Sequence, residues 1–277
     1  MHEGTFKTQK PFKMKKILYI SQEIAPYMPE TEASLLARDL PQEMFNRENE
    51  IRIFTPKWGS INERRGQLHE VIRLSGMNLI VNDTDHPLII KVASLPNSRL
   101  QVYFIDNDEF FQKRRQASDA QGEDYVDNGE RAIFFARGVL ETVKKLRWTP
   151  DIIHCQGWMS ATVPYYLKTA FKNEPIFKEV KIVTTLCEKI LQKDLGEHFK
   201  QIIDFKAKNP KLLKVYKEPF DSFELGKLAI DFSDGIIVAN KQVNKDLIQH
   251  AKESGKQVLP VVKTNIAEKY LQFYEKL

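Results

Sequence analysis

The sequence predicts an α/β fold: a doubly wound, mostly parallel sheet flanked by helices. Three observations carry this. Short apolar runs rich in β-branched residues recur along the chain, such as Ile17-Leu18-Tyr19-Ile20 and Ile152-Ile153. Their length and composition suit strands buried on both faces. Segments with three- and four-residue apolar spacing lie between them. The first strand, helix and strand fit within about 40 residues, the size of a βαβ unit that crosses over right-handed.

Taken in order, 16–20 is the first strand. A helix follows over 30–46, because Ala33, Leu36, Ala37, Leu40 and Met44 recur on one side. Residues 50–54 form the next strand. The middle of the chain reads as strand-rich, with strands at 71–74, 88–93 and 100–105 separated by Gly, Asn, Asp and Pro turns. The clearest helix is 128–147, where Ile133, Ala136, Leu140 and Val143 make one stripe and Arg137, Glu141, Lys144 and Lys145 lie off it. Strand 152–154, helix 160–171 and strand 181–185 follow. Residues 186–218 have no clear pattern. The chain ends with helix 223–232, strand 235–239 and helix 241–252. Strands alternating with helices are the signature of a doubly wound sheet.

The chain has 277 residues, 42% hydrophobic and 29% charged. That is enough to bury a core without disulfide staples, and the composition excludes collagen, low-complexity disorder and a disulfide scaffold. No apolar run approaches the roughly 20 residues of a membrane span, and the first one is too short for a signal-peptide core. The expectation is a cytoplasmic protein with no membrane partner. Cys155 and Cys187 suit a reducing compartment, and their spacing makes no zinc motif.

The net charge of +5 is unevenly placed. Residues 1–16 hold five lysines against Glu3, and residues 189–218 hold eight lysines against four acids. The excess is lysine without a nucleic-acid reading motif, so solvated lysine faces are expected rather than a nucleic-acid partner. Residues 1–14 read as a flexible basic tail and 15–277 as a single domain.

Candidate chemistry is sparse. His69-Glu70 begins like a zinc-protease motif, but Arg73 stands where the second histidine belongs. Asp106, Asp108 and Glu109 read as a strand exit with a helix cap, not a metal site. No G-x-G-x-x-G or P-loop marks a nucleotide cradle, so no cofactor and no metal are expected. His154 and Cys155 are adjacent on one strand and must point to opposite faces, which argues against a Cys–His nucleophile. The positional argument is stronger. Ligands bind beyond the carboxyl ends of the strands in doubly wound sheets. Three segments should meet there: 23–27, 154–158 and 184–188. Their carboxylates, imidazole, amides and aromatic rings suit a sugar, with its apolar faces and hydroxyl edges.

These residues also resemble a known family. Glu23-Ile24-Ala25-Pro26-Tyr27 followed by Leu40-Pro41, then Glu50-Ile51-Arg52-Ile53 leading to Pro56, resembles the opening of glycogen and starch synthases. Asp127-Asn128 with Arg131 resembles the segment before that family's long helix. Trp148-Thr149-Pro150-Asp151-Ile152-Ile153-His154, then Trp158, is similar to its middle block. Gly226-Lys227 and Asp234-Gly235-Ile236-Ile237 resemble a later helix and strand. The match runs in order over about residues 15–250.

The resemblance implies the N-terminal, Rossmann-like domain of a GT-B glycosyltransferase that extends α-1,4-glucan from ADP-glucose. It places acceptor or glucan contacts at Glu23, Tyr27, Asp127, Asn128, His154 and Trp158. The C-terminal donor-binding domain is expected to be absent, since only about twenty residues follow position 255. The family's Lys-x-Gly-Gly-Leu-x-Asp appears here as Pro29, Thr31, Glu32, Ala33 and Leu35. Its His-x-His-Asp-Trp retains His154 and Trp158 but carries Gln156 and Gly157, and its Thr-Ile-His-Asn has become Thr185-Leu186-Cys187-Glu188. Leaving phosphates need fixed positive charge and backbone N–H donors, so the degenerate positions Pro29, Leu35, Gln156 and Gly157 predict no turnover by this chain alone. Three readings follow. The chain is a pseudoenzyme that binds α-glucan, a maltooligosaccharide or a partner. Alternatively it is an active half completed by a separate donor-domain glycosyltransferase chain. The third reading is an unrelated α/β binding module that kept the fold.

Overall fold

The computed structural model describes residues 14–277, so the expected tail at 1–14 lies outside the described residues apart from Met14. The chain runs β1 (Lys16–Ser21), α1 (Glu32–Asn46), β2 (Glu50–Pro56), α2 (Glu63–Gly66), β3 (His69–Glu70), β4 (Met77–Val81), β5 (Thr84–Ser94) and β6 (Gln101–Asp106). It continues with α3 (Asn128–Leu146), β7 (Ile152–Gln156), α4 (Val163–Lys168), β8 (Lys181–Leu186), α5 (Phe199–Ala207), α6 (Ser222–Phe232), β9 (Gly235–Val238), α7 (Lys245–Glu253), β10 (Gln257–Leu259) and α8 (Ile266–Glu275).

The strands form one sheet in the order β10-β9-β8-β7-β1-β2-β6-β5-β3, with β4 paired to β5. From β10 to β6 every pairing is parallel, and β5 then runs antiparallel to β6, β3 and β4. The expected α/β, doubly wound and mostly parallel architecture is therefore present, with β1 central and β7 beside it.

Alternation along the strands assigns the helices to faces. On β7 the His154 side chain meets Tyr274 of α8, and Gln156, two residues on, reaches the Ala33 carbonyl of α1. Thr184 of β8 points the other way, to Ser233 at the end of α6. Helices α1 and α8 thus cover one face and α6 the other, which buries the central strands on both sides. Every residue of β7 and β9 is buried. The same core continues under α3, where Phe111 packs edge-on against Trp58 and tilted against Phe134.

Two expected elements differ. Residues 71–74 form a turn, closed by the Leu74 N–H donating to the Val71 carbonyl. Ile72 is 76% exposed, so nothing rewards pairing there, and the two-residue β3 takes the sheet edge instead. The helix expected at 160–171 is shorter. A 3-10 turn at Trp158–Ser160 comes first, and α4 starts only at Val163. Pro164 has no N–H for an i→i−4 bond and fits only a first helical turn.

Candidate functional site

A small cleft of about 90 Å³ lies at the carboxyl ends of β7 and β8, facing the start of α6. Trp158, Cys187, Glu188, Phe223 and Asn244 line it. Of the three segments expected to meet at the strand ends, 154–158 and 184–188 form its walls. The third reaches them through Gln22, whose Oε1 accepts the Trp158 N–H at 2.9 Å. Nearby, the Glu23 carboxylate accepts the Thr31 hydroxyl at 2.9 Å and the Gln22 amide at 3.2 Å.

Two of the cleft's polar side chains are already committed. Thr185 Oγ1 bonds His154 Nε2 at 2.6 Å, and Thr184 bonds Ser233 at 2.7 Å. Burial pushes the Cys187 thiol up to about 12, and the neighbouring Glu23 and Glu188 charges add to this. The thiol is therefore neutral and a poor nucleophile at ordinary pH. One donor stands out: the buried Trp158 indole N–H has no acceptor among the described residues. Buried N–H groups are nearly always paired, so this orphan donor is unusual.

The other candidate residues are distributed differently from the expectation. His154 does not face the cleft. It is 1% exposed, with Nδ1 at 2.7 Å from the Tyr274 hydroxyl and Nε2 on Thr185. Burial pulls its imidazole down to about 3, so it is neutral and sealed. Tyr27 donates its hydroxyl to the Ser94 carbonyl and packs edge-on to Phe104, on the β5–β6 side of the sheet.

Asp127 and Asn128 serve the loop before α3. Asp127 accepts from Arg114 at 2.8 Å, and Asn128 donates to the Ala117 carbonyl and accepts from Arg131. Arg131, fully buried, donates also to the carbonyls of Phe110, Gln116 and Arg115. The sequence pattern around 127–131 thus encodes an anchored loop. Of the expected glucan contacts, Trp158 alone lines the cleft directly, and Glu23 stands just behind it.

Phe223 and Asn244 are additions that sequence reading did not single out. Both sit at helix starts, and only the topology brings them opposite β8. The acidic cluster is also dispersed: Asp106 pairs with Lys91 at 2.8 Å and Glu109 with His86 at 2.7 Å. No group of three or more metal-type ligands is assembled among the described residues. His69 lies in a strand, not in a metal-binding helix.

The loop before α1 is closed by its own side chains. Thr31 caps α1 by accepting the Ser34 N–H, and the Ser34 hydroxyl accepts the Thr31 N–H in return. The Pro29 carbonyl takes the Ser34 hydroxyl at 2.8 Å. Leu35 is half-buried on α1 and offers no charge. Gln156 spends its amide on Ala33, while Gly157 takes φ 85° and ψ 169°.

Residues 16–260 match the family described as starch synthase catalytic domain. The chain belongs to that family. Among curated relatives, the glycogen synthase of Chlorobium luteolum is 38% identical over 172 residues, covering 62% of this chain and 35% of its own length. That of Chlorobaculum tepidum is 39% identical with the same coverage. That of Chlorobium chlorochromatii is 36% identical over 190 residues, or 68% of this chain and 39% of its own. The chain thus spans somewhat over a third of the length of these synthases. The catalytic domain of starch synthase IV from Arabidopsis thaliana, solved with ADP and acarbose, superposes with a TM-score of 0.69 at 15% identity. It covers 91% of this chain and 52% of its own, which establishes a shared fold. Within the starch synthase family, then, this chain shares the α/β fold. Among the described residues no helix is long and apolar enough to cross a membrane.

Proposed function

We propose that this chain is a synthase-like domain that holds α-1,4-glucan in the strand-end cleft and does not by itself transfer glucose from ADP-glucose. The observation that carries this is the start of α1. A diphosphate at a helix N-terminus needs free N–H groups and positive charge. Here Thr31 and Ser34 occupy each other's N–H groups, and Glu23, Glu30 and Glu32 surround the turn with negative charge. An anion placed against that turn would meet these carboxylates.

The cleft itself suits a neutral ligand. Trp158 and Phe223 offer apolar rings for a sugar face, and Asn244 and Glu188 offer hydrogen-bonding edges. Oligosaccharide binding of this kind is a matter of ring contacts and a few directed polar groups.

Calorimetry with maltooligosaccharides, run beside an ADP-glucose incorporation assay on the purified chain, tests the reading. Millimolar or tighter sugar binding that is lost in Trp158→Ala, with no glucan extension, is the expected result. Absence of heat at millimolar sugar, or extension by the chain alone, overturns it.

A further inference from the structure

Between the cleft-lining segment after β8 and the start of α6, α5 and the 3-10 turn at Pro210–Leu213 enclose an open groove of about 660 Å³. Lys200, Phe205, Lys208, Leu213 and Lys214 line it together with Asp204. The surface around it combines two features that a purely solvated face does not need. Phe205, Leu212 and Val215 are 45%, 37% and 71% exposed. Between them, Lys206, Lys208, Lys211, Lys214 and Lys217 are all exposed. None of these five has a carboxylate partner within salt-bridge distance among the described residues, although neighbouring Lys193, Lys200 and Lys227 do.

The groove's own negative charge is spent internally. Asp204 accepts the Tyr165 hydroxyl and the Asn209 N–H, both at 2.8 Å. Lys200 is likewise committed, to the Tyr216 carbonyl and Glu218. What remains available is a ring of cations around apolar contact surface.

We propose that this groove docks an acidic peptide segment of a partner protein, with a bulky apolar side chain seated against Phe205. Charge complementarity selects the acidic partner and speeds its approach. The exposed apolar residues supply the desolvated anchor that such interfaces require. The excess is lysine rather than the arginine fork that favours phosphate groups. The concave, partly apolar floor suits a side chain better than a flat headgroup layer. Residues 1–13 carry Lys7, Lys10 and Lys13 against Glu3 and have the wrong sign to be the occupant.

The test uses the full chain and a short fluorescent peptide of aspartate and glutamate carrying a leucine and a tryptophan, read by anisotropy. A control peptide keeps every acid and replaces both apolar residues with serine. The expected result is about micromolar binding, weakened about tenfold in the control peptide and about tenfold in Phe205→Ser. The double change Lys208→Glu with Lys214→Glu should weaken it at least as much, and binding should fall as salt rises from about 50 to 300 mM. Thermal melts confirm that each variant stays folded. Equal affinity for both peptides overturns the proposal, as does undiminished binding in the variants. Preferential binding of single-stranded RNA or of phosphatidylserine vesicles through the same lysines also overturns it.

Discussion

Gln22 Oε1 accepts the Trp158 N–H at 2.9 Å, and a methyl group placed on Gly157 would stand 2.2 Å from that same oxygen. The two positions are thus coupled. Gly157 also holds φ 85° with ψ 169°, a conformation that side chains other than hydrogen strongly resist. Gly157→Asp should cost about 2 kcal/mol or more, from strain and steric conflict together. Urea denaturation checks this. Adding Gln22→Ala should recover part of the loss but not all, since the backbone strain persists.

His154 should make stability fall in acid. Its imidazole drops from 6.5 to about 3 on folding because burial disfavours the charged form. Between those values the unfolded chain takes up a proton that the folded chain refuses. The contribution is therefore complete above pH 6.5 and declines as pH falls toward 3, by at most about 1.4 kcal/mol per pH unit. His154→Leu removes this titration but leaves the Tyr274 and Thr185 hydroxyls without their partner. The variant should be less stable at neutral pH by about 1–3 kcal/mol, and its deficit relative to the native chain should narrow on acidification. Denaturation midpoints at a series of pH values would show the gap closing; a constant gap contradicts the assignment.

Arg131 should behave as a structural anchor that lysine cannot replace. Its guanidinium makes four hydrogen bonds, to Phe110, Gln116, Asn128 and Arg115, and lies 5.2 Å from the Trp58 ring centre and 4.9 Å from that of Tyr125. Burial lowers its pKa to about 10, so it stays charged at neutral pH. An ammonium group is not planar and cannot reach these acceptors at once. Both Arg131→Lys and Arg131→Met should lose about 3 kcal/mol or more, because three loop carbonyls lose their donor. Loop residues 107–127 should become sensitive to limited proteolysis in both variants.

The contrast between Arg131 and His154 indicates what was legible in the sequence. The central strands were, because Ile17-Leu18-Tyr19-Ile20 and Ile152-Ile153 must be buried on both faces wherever they sit. Helix α3 was, because its stripe from Ile133 to Val143 repeats over about three turns. The short edge strand β10 was not, since Gln257-Val258-Leu259 carries too few residues to show a period. Helix α5 was hidden by lysines that interrupt Phe199, Ile202 and Ile203. The cleft was legible as a place, through the rule for strand ends, but its occupants were not. His154 is sealed by Tyr274, 120 residues away in sequence, and no local pattern announces that contact. Likewise Asp127 and Asn128 have the polarity of ligand contacts, yet their partners are a loop carbonyl and two arginines.

Asp124 should control the order of the cleft rim. It is 6% exposed, and its Oδ2 accepts the N–H of Gln192 at 2.5 Å and of Lys193 at 2.9 Å, while Oδ1 takes the Ser118 hydroxyl at 2.7 Å. Burial alone would raise its pKa. The Lys193 N–H, the Ser118 hydroxyl and the Gln192 N–H outweigh that and hold the carboxyl below its ordinary range. Its stabilisation is therefore present above the unfolded carboxyl value, about 3.9, and lost as pH falls through the lower folded value. Gln192 and Lys193 directly follow the segment that lines the cleft through Leu191. In Asp124→Ala their amides lose their acceptor, and hydrogen exchange at 190–193 should accelerate by about ten- to a hundredfold. Exchange in α3 and α6 should be unchanged, because their own ladders do not involve this carboxylate. Uniform acceleration across the sheet would mean that Asp124 supports global stability instead of the rim.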